Sequence, residues 1–411
     1  IRAGGGAMEV DGGASAGAGG KKREREADES AGGEKKTKSG VSGDVVAKMT
    51  AKAKALSKGR RKKPLPEGLA TPEDLGAYSL LGKYPLHAAS GSGRGIACLD
   101  SDETHVVTGG ADGKFKVFDL ASQEAVSEAV KAHAKPITCV KLLGADGAAL
   151  DLVGTCSADK TCKIWKRVEG GGKMSYELLT TLGDQEDAVV GLDRQATGEY
   201  VVTFSKSGSW MFYDLASGAK LATASCEEGQ RVEFTCGSFH PDGLILGTGT
   251  ASGDVLIWDV KEQKSVATFQ GHKSPITSMC FSENGYYLST TSSDANEGVK
   301  LWDLRKLQNF HTIDVSDQAS GQKFGKKPPG VFAQFDKSGA FLAVGCGKSV
   351  QVYGAKQEWK ALLGADQAGL SDVLATAAKG ASCLGFSALA KTLFVGSSAD
   401  HNLRIYGGGQ T

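Results

Sequence analysis

Seven aromatic residues recur along the chain, each at the end of a short run in which apolar and polar side chains alternate: Phe118, Trp165, Tyr213, Trp258, Trp302, Tyr353 and Tyr406. They stand roughly 44 to 53 residues apart, too far for ankyrin or tetratricopeptide units and well suited to the four-stranded blades of a propeller. The alternation between anchors, as in LDLVGTCSADKTCKIW from Leu150 to Trp165, is that of half-buried antiparallel strands. Seven anchors predict seven blades and an all-β fold.

The fifth unit carries the fullest version of the repeat. It opens on Gly271-His272, closes on Trp302-Asp303, and holds three strand-like runs, Ile276 to Phe281, Tyr286 to Thr291 and Val299 to Trp302. A Gly-His start and a Trp-Asp finish around several strands mark a WD-type blade. In such a blade a turn Asp bonds the opening His, the His reaches a Ser or Thr hydroxyl, and the hydroxyl reaches the Trp ring N–H. Buried polar groups left out of such a chain would cost about 1–3 kcal/mol each. Asp112, Asp159 and Asp400 each lie six residues before an anchor, and a short insertion displaces Asp294. His133, Asp159 and Trp165, and likewise His272, Asp294 and Trp302, are therefore expected to form structural polar networks. Ser207 in blade three and Gly347 in blade six occupy the Asp position, so those blades are expected to rely on packing.

The regions before the repeats differ in composition. Residues 1–40 are Gly, Ala, Ser, Lys and Glu with almost no large apolar side chains, which predicts a disordered tail. Residues 41–77 read as a linker with a short helix over 44–57, its face set by Val45, Met49, Lys52 and Leu56, followed by chain-breaking Pro64, Pro66 and Pro72. The propeller is assigned to 78–411. Only Gly407 to Thr411 follow the last anchor, too little for an outer strand, so the isolated strand-like run 78–87 is expected to fill that edge and close the ring. The chain begins with Ile1 rather than Met and reads as a fragment. The basic residues Lys21, Lys22 and Arg23, with Arg60, Arg61, Lys62 and Lys63, form clusters of the kind read in nuclear import.

Net charge is +1, so the whole chain has no excess that would steer it to a polyanion, and the basic clusters lack the interleaved aromatics that stack on bases. Direct nucleic-acid binding is not expected. No run of 18 apolar residues suggests a membrane span. Nine cysteines, an odd number without a C-x-x-C pair, fit reduced thiols in a reducing compartment better than a disulfide frame or a zinc site.

Signals for catalysis are weak. Ser157-Ala158-Asp159-Lys160 matches S-x-x-K but sits in a turn between strands, without the supporting motifs of acyl-transfer enzymes. Gly91-Ser92-Gly93-Arg94-Gly95 precedes a strand, whereas phosphate-cradling loops open a helix. No two of the seven histidines stand at metal-ligand spacing, and no residues combine as nucleophile, base and orienting group. The residues predict a binding platform with no catalytic site, cofactor, metal or small-molecule ligand. On a propeller the loops carry recognition, and Arg94, Lys135, Phe234 and Lys273, at the openings of blades one, two, four and five, are the candidate partner-binding face.

Three stretches say more than the repeat does. FHPDGLILGTGT from Phe239, GHKSPITSMCFSENGYYLSTTSSD from Gly271 and VKLWDLRKLQNFHT from Val299 closely resemble the pre-mRNA-processing factor nineteen family, and 41–87 is similar to that family's linker into its propeller. The resemblance implies a nuclear scaffold of a spliceosome-associated complex, with a linked role in DNA-damage responses. In that family an N-terminal U-box makes the protein an E3 ubiquitin ligase, a coiled coil makes it a tetramer, and the propeller recruits substrates and splicing partners. Neither U-box nor coiled-coil heptads are visible before Val41, so ligase activity and oligomerisation are not expected of these residues alone. The alternative is a WD-repeat adaptor of another class, a cullin-ligase substrate receptor or a chromatin-binding module.

Overall fold

The computed structural model describes residues 40–60, 64–87, 95–127, 130–144, 148–168, 173–226, 231–315, 330–347, 349–362, 381–398 and 401–408. Seven antiparallel sheets follow one another around an axis, the first strand of each lying beside the first strand of the next. They form a seven-bladed β-propeller, with blades at 96–125, 137–182, 189–225, 234–269, 276–313, 331–361 and 383–408. The last blade takes its outermost strand from the other end of the domain: Tyr78–Pro85 pairs antiparallel with Asn402–Gly408.

Side-chain alternation explains why the sheets stack. Buried apolar residues gather in seven clusters, each lying between two neighbouring blades. Strands in the middle of a blade are covered on both faces, so Tyr200–Ser205 is buried throughout, whereas the outer strand Lys264–Phe269 is mostly exposed. One close approach recurs three times. A Cβ on Gly109 would lie 2.6 Å from Cys98 Sγ and 2.7 Å from Ile137 of the next blade, and Gly249 and Gly396 meet Cys236 with Ile276, and Cys383 with Ile96, in the same way. A larger residue at any of the three would force adjoining blades apart. These cysteines are thus packing residues, and all nine in the chain are free thiols.

Two helices precede the ring. Helix α1, Gly43–Arg60, is longer at both ends than the 44–57 expected. Its packed face also differs: Val45, Met49 and Ala53 lie against blades three and four, while Lys52 faces solvent. Spacing of four residues sets that face, and the small Ala53 allows the close approach that a lysine would not. Helix α2, Pro72–Gly76, starts with a capping box in which Thr71 Oγ1 accepts from Asp74 N at 3.2 Å and Asp74 Oδ2 accepts from Thr71 N at 2.8 Å. It delivers the chain into the closing strand, whose Tyr78 is buried and donates its hydroxyl hydrogen bond to Ala390 O.

Candidate protein-interaction surface

The polar networks hold the blade ends from within. In blade two, Trp165 Nε1 donates to Thr155 Oγ1 at 2.9 Å, Thr155 Oγ1 lies 2.8 Å from His133 Nε2, and His133 Nδ1 lies 3.1 Å from Asp159. The order of donors assigns the Nδ1–H tautomer to His133, with Nε2 accepting from the threonine hydroxyl. In blade five, Trp302 Nε1 donates to Thr290 Oγ1 at 2.8 Å and Thr290 Oγ1 meets His272 Nε2 at 3.0 Å. Here the sequence expectation needs correction, because the carboxylate on His272 Nδ1 is Glu297, at 3.0 Å, and not Asp294. Asp294 instead accepts from Asn296 N at 2.8 Å and caps the short 3-10 turn Ala295–Glu297. The insertion moves Asp294 out of reach, and the longer Glu297 side chain spans the gap and also accepts from Lys273 N and Ser274 Oγ.

Two further networks go beyond the sets expected from sequence, which named Asp112 without a histidine partner. His87, at the end of the closing segment, meets Asp112 at 3.2 Å and Thr108 at 2.9 Å, so the last residue of that segment serves blade one. Blade three does not rest on packing alone, since Gln185 Nε2 donates to Thr203 Oγ1 at 2.8 Å and reaches Tyr213 OH at 3.2 Å. A threonine hydroxyl stands at the equivalent place in blades one to five, whereas Val344 and Val395 take it in blades six and seven.

These groups are buried, and their titration follows. Burial lowers the pKa of His133 and of His272 below the ordinary 6.5, against the raising effect of their carboxylate partners. Burial pushes Asp159 and Glu297 the other way, but the hydrogen bonds they accept leave both below their ordinary values of 3.8 and 4.5. Both kinds of shift have the same sign for stability. The folded state holds neutral histidines, so their contribution is complete above pH 6.5 and declines as the pH falls through the depressed histidine values. The carboxylates add a second loss once the pH falls below 4.5. A melting temperature flat from pH 8 to 7 and falling on acidification below about 6.5 is the predicted profile, measured by circular dichroism at constant ionic strength. A flat profile down to pH 5 would contradict it.

The axis of the ring holds a channel of about 270 Å³. Half-buried Lys141 projects into it, 3.9 Å from Asp193, and the charges of Asp100 and Asp193 raise its pKa above the ordinary value. Asp193 also accepts from Ser238 Oγ and Phe239 N, both at 2.8 Å, tying blade three to blade four. Burial pushes the channel thiols of Cys139 and Cys280 up to about 11 and those of Cys236 and Cys383 up to about 12, which keeps them protonated and poorly nucleophilic.

A different surface gathers partly exposed aromatic side chains. The stretches Phe281 to Leu288 and Leu304 to Phe310 converge at the ends of the blade-five strands opposite the His272 network. Tyr286, Leu307 and Phe310 are exposed there by 38%, 59% and 39%. Tyr287 lies 5.2 Å from Phe310 and 5.9 Å from Trp359 of blade six, ring centre to ring centre, and Trp359 also meets Phe335 at 6.1 Å. Arg305 holds the turn in place: its guanidinium forms two hydrogen bonds with Asp303, at 3.0 and 2.7 Å, and lies 4.7 Å from the centre of the Tyr286 ring. That hydrogen bonding brings Asp303 down to about 2. Glu358 and Trp359 have φ of 55° and 60°, a left-handed conformation that is costly for so bulky a residue as Trp. Among the described residues no hydrogen bond reaches the Tyr286 or Tyr287 hydroxyl or the Trp359 indole N–H. Exposed aromatic side chains with spare donors are what protein interfaces are enriched in.

The face expected from sequence is not assembled in this way. Phe234 is fully buried and stacks edge-on against Trp258 at 6.1 Å, because it is the first inward-facing residue of its strand and not part of the loop before it. Lys135 and Lys273 are both exposed, at matching openings of blades two and five with two blades between them, and Arg94 lies outside the described residues. Of the basic clusters only Arg60 is described. It donates to Pro241 O at 2.8 Å and pairs with Glu283 at 3.5 Å, so it is committed to blades four and five; Lys21, Lys22, Arg23, Arg61, Lys62 and Lys63, like Asp400, lie outside the described residues.

Comparison with known proteins gives this geometry a family. Residues 80–119 and 126–166 match the WD domain, G-beta repeat, and residues 179–355 match the family described as nucleolar protein 10-like, N-terminal domain. The Arabidopsis thaliana protein named pre-mRNA-processing factor 19 homolog 2 is 38% identical over 377 residues, covering 91% of this chain and 65% of that protein. Pre-mRNA-processing factor 19 of Oryza sativa subsp. japonica is 39% identical over 376 residues, 91% of this chain and 66% of its own length. The chain belongs to the pre-mRNA-processing factor 19 family. What it shares is the WD-repeat portion, for it spans about two thirds of the length of these plant relatives and 60% of the Homo sapiens pre-mRNA-processing factor 19, to which it is 38% identical over 330 residues. The blade-five stretches that resemble the family contain Tyr286, Tyr287, Leu307 and Phe310 of the aromatic surface, which Trp359 of blade six completes.

Proposed function

We propose that this propeller is the partner-recruiting scaffold of a nuclear, spliceosome-associated complex in pre-mRNA processing. Within the whole protein it would present substrates and splicing factors to a U-box E3 ubiquitin ligase, with a linked part in DNA-damage responses. The observation that carries the reading is the blade-five surface of Tyr286, Leu307, Phe310 and Trp359, together with the names of the relatives.

The test is affinity capture from nuclear extract with the propeller as bait, beside the Leu307→Asp/Phe310→Ser double variant. Splicing factors should be recovered by the wild type and fall at least about tenfold with the variant, since truncating interface anchors of this kind costs roughly 2 kcal/mol or more. Both side chains are exposed enough that the melting temperature should change little. Recovery of cullin subunits alone would place the propeller in the other adaptor class.

A further inference from the structure

We propose that the cleft between helix α1 and blade four docks an acidic, amphipathic peptide segment of a partner protein. The cleft has a volume of about 560 Å³ and is walled by Thr50, Ala53, Lys54 and Lys58 of α1 and by Leu244 of blade four. None of its lining residues belongs to the exposed aromatic patch of blade five, and it stands or falls independently of which complex that patch serves.

The charges around it are unequal. Helix α1 carries Lys48, Lys52, Lys54, Lys58 and Arg60 against Asp44 alone. The cations at the two ends of the docked stretch are already paired, Lys48 with Glu199 and Arg60 with Glu283. Lys54 and Lys58 are exposed, and among the described residues neither has an ion pair. The one carboxylate lining the cleft, Asp242, lies 2.8 Å from His240 Nδ1 and is engaged there. Two unneutralised ammonium groups therefore stand at the rim of a concave site.

The floor says which anion fits. Ala53 and half-buried Leu244 are apolar, and Leu244 continues into the core shared by blades three and four. Aliphatic side chains can be covered there while carboxylates meet Lys54 and Lys58. Among the described residues, the cleft lining offers a nucleic acid no aromatic ring on which a base could stack and no arginine fork for its phosphates. Acidic residues spaced with leucine-like residues supply both halves of the match.

Fluorescence anisotropy of the full chain at about 0.15 M salt can read this directly, with three labelled probes: a dodecapeptide of repeated Leu-Glu-Glu, one of repeated Ser-Glu-Glu, and dodecauridylate RNA. The Leu-Glu-Glu peptide should bind at least about tenfold more tightly than either other probe, and Lys54→Glu/Lys58→Glu should weaken it by about tenfold or more. Lys54→Gln/Lys58→Gln should give a smaller loss in the same direction, and unchanged melting temperatures will show that both variants fold. Equal binding of the serine peptide or the RNA would mean simple polyanion attraction and would overturn the proposal. So would indifference to the charge reversal, or no binding of the leucine peptide at all.

Discussion

Removing residues 71–90 is expected to abolish cooperative folding of the propeller. The segment contributes at three places far apart in sequence. Leu75 and Tyr78 are buried in the cluster between blades six and seven, Leu86 is buried between blades seven and one, and His87 satisfies Thr108 and Asp112 of blade one. Burial of those three apolar side chains, with the unpaired groups left behind, amounts to roughly 6–12 kcal/mol. A domain's whole stability is about 5–15 kcal/mol. The deletion also leaves Asn402–Gly408 as an open sheet edge, a template for association with other chains. The predicted result is loss of a sigmoidal thermal transition together with higher-order species in size-exclusion chromatography with light scattering. Adding the missing segment as a separate peptide should restore part of the monomer. A monomeric deletion variant with an unchanged melting temperature would show that the ring closes without it.

The propeller was legible because its repeat is enforced by packing. Each blade must end its third strand on a large buried side chain, so the seven anchors recur whatever else changes. Less was legible at the sites, for reasons the structure makes physical. Spacing pointed to Asp294 as the partner of His272, but a short insertion lets a longer carboxylate, Glu297, take that place. Phe234 stood where loops meet strands, and a shift of one residue in a strand exchanges solvent for core. His87 follows the closing strand of blade seven and meets Asp112 in a turn of blade one; spacing marks Asp112, but no local pattern marks His87 as its partner. The blade-five surface lay between these extremes. Its two stretches were distinctive as sequence, yet Trp359, which completes the aromatic cluster, comes from the next blade.

Thr290 gives the sharpest measure of how much the buried networks matter. Its hydroxyl accepts from Trp302 Nε1 at 2.8 Å and meets His272 Nε2 at 3.0 Å. Valine has nearly the same shape, so Thr290→Val opens no cavity and removes only the hydroxyl. Two buried ring nitrogens then lose their partner, at a cost of about 1–3 kcal/mol each. In blade four the equivalent Thr248 accepts from Trp258 Nε1 at 2.9 Å, with no histidine beside it among the described residues. Thr248→Val should therefore cost roughly half as much as Thr290→Val, and the difference isolates the histidine arm. Thr290→Ser, which keeps the hydroxyl, should recover most of the loss. Denaturant unfolding of the three variants against wild type decides the matter, with the shift in midpoint at constant slope taken as the change in stability. If Thr290→Val were no more harmful than Thr248→Val, the Thr290–His272 hydrogen bond would carry no stability of its own, and the hydroxyl would matter in blade five only as the acceptor of the tryptophan N–H.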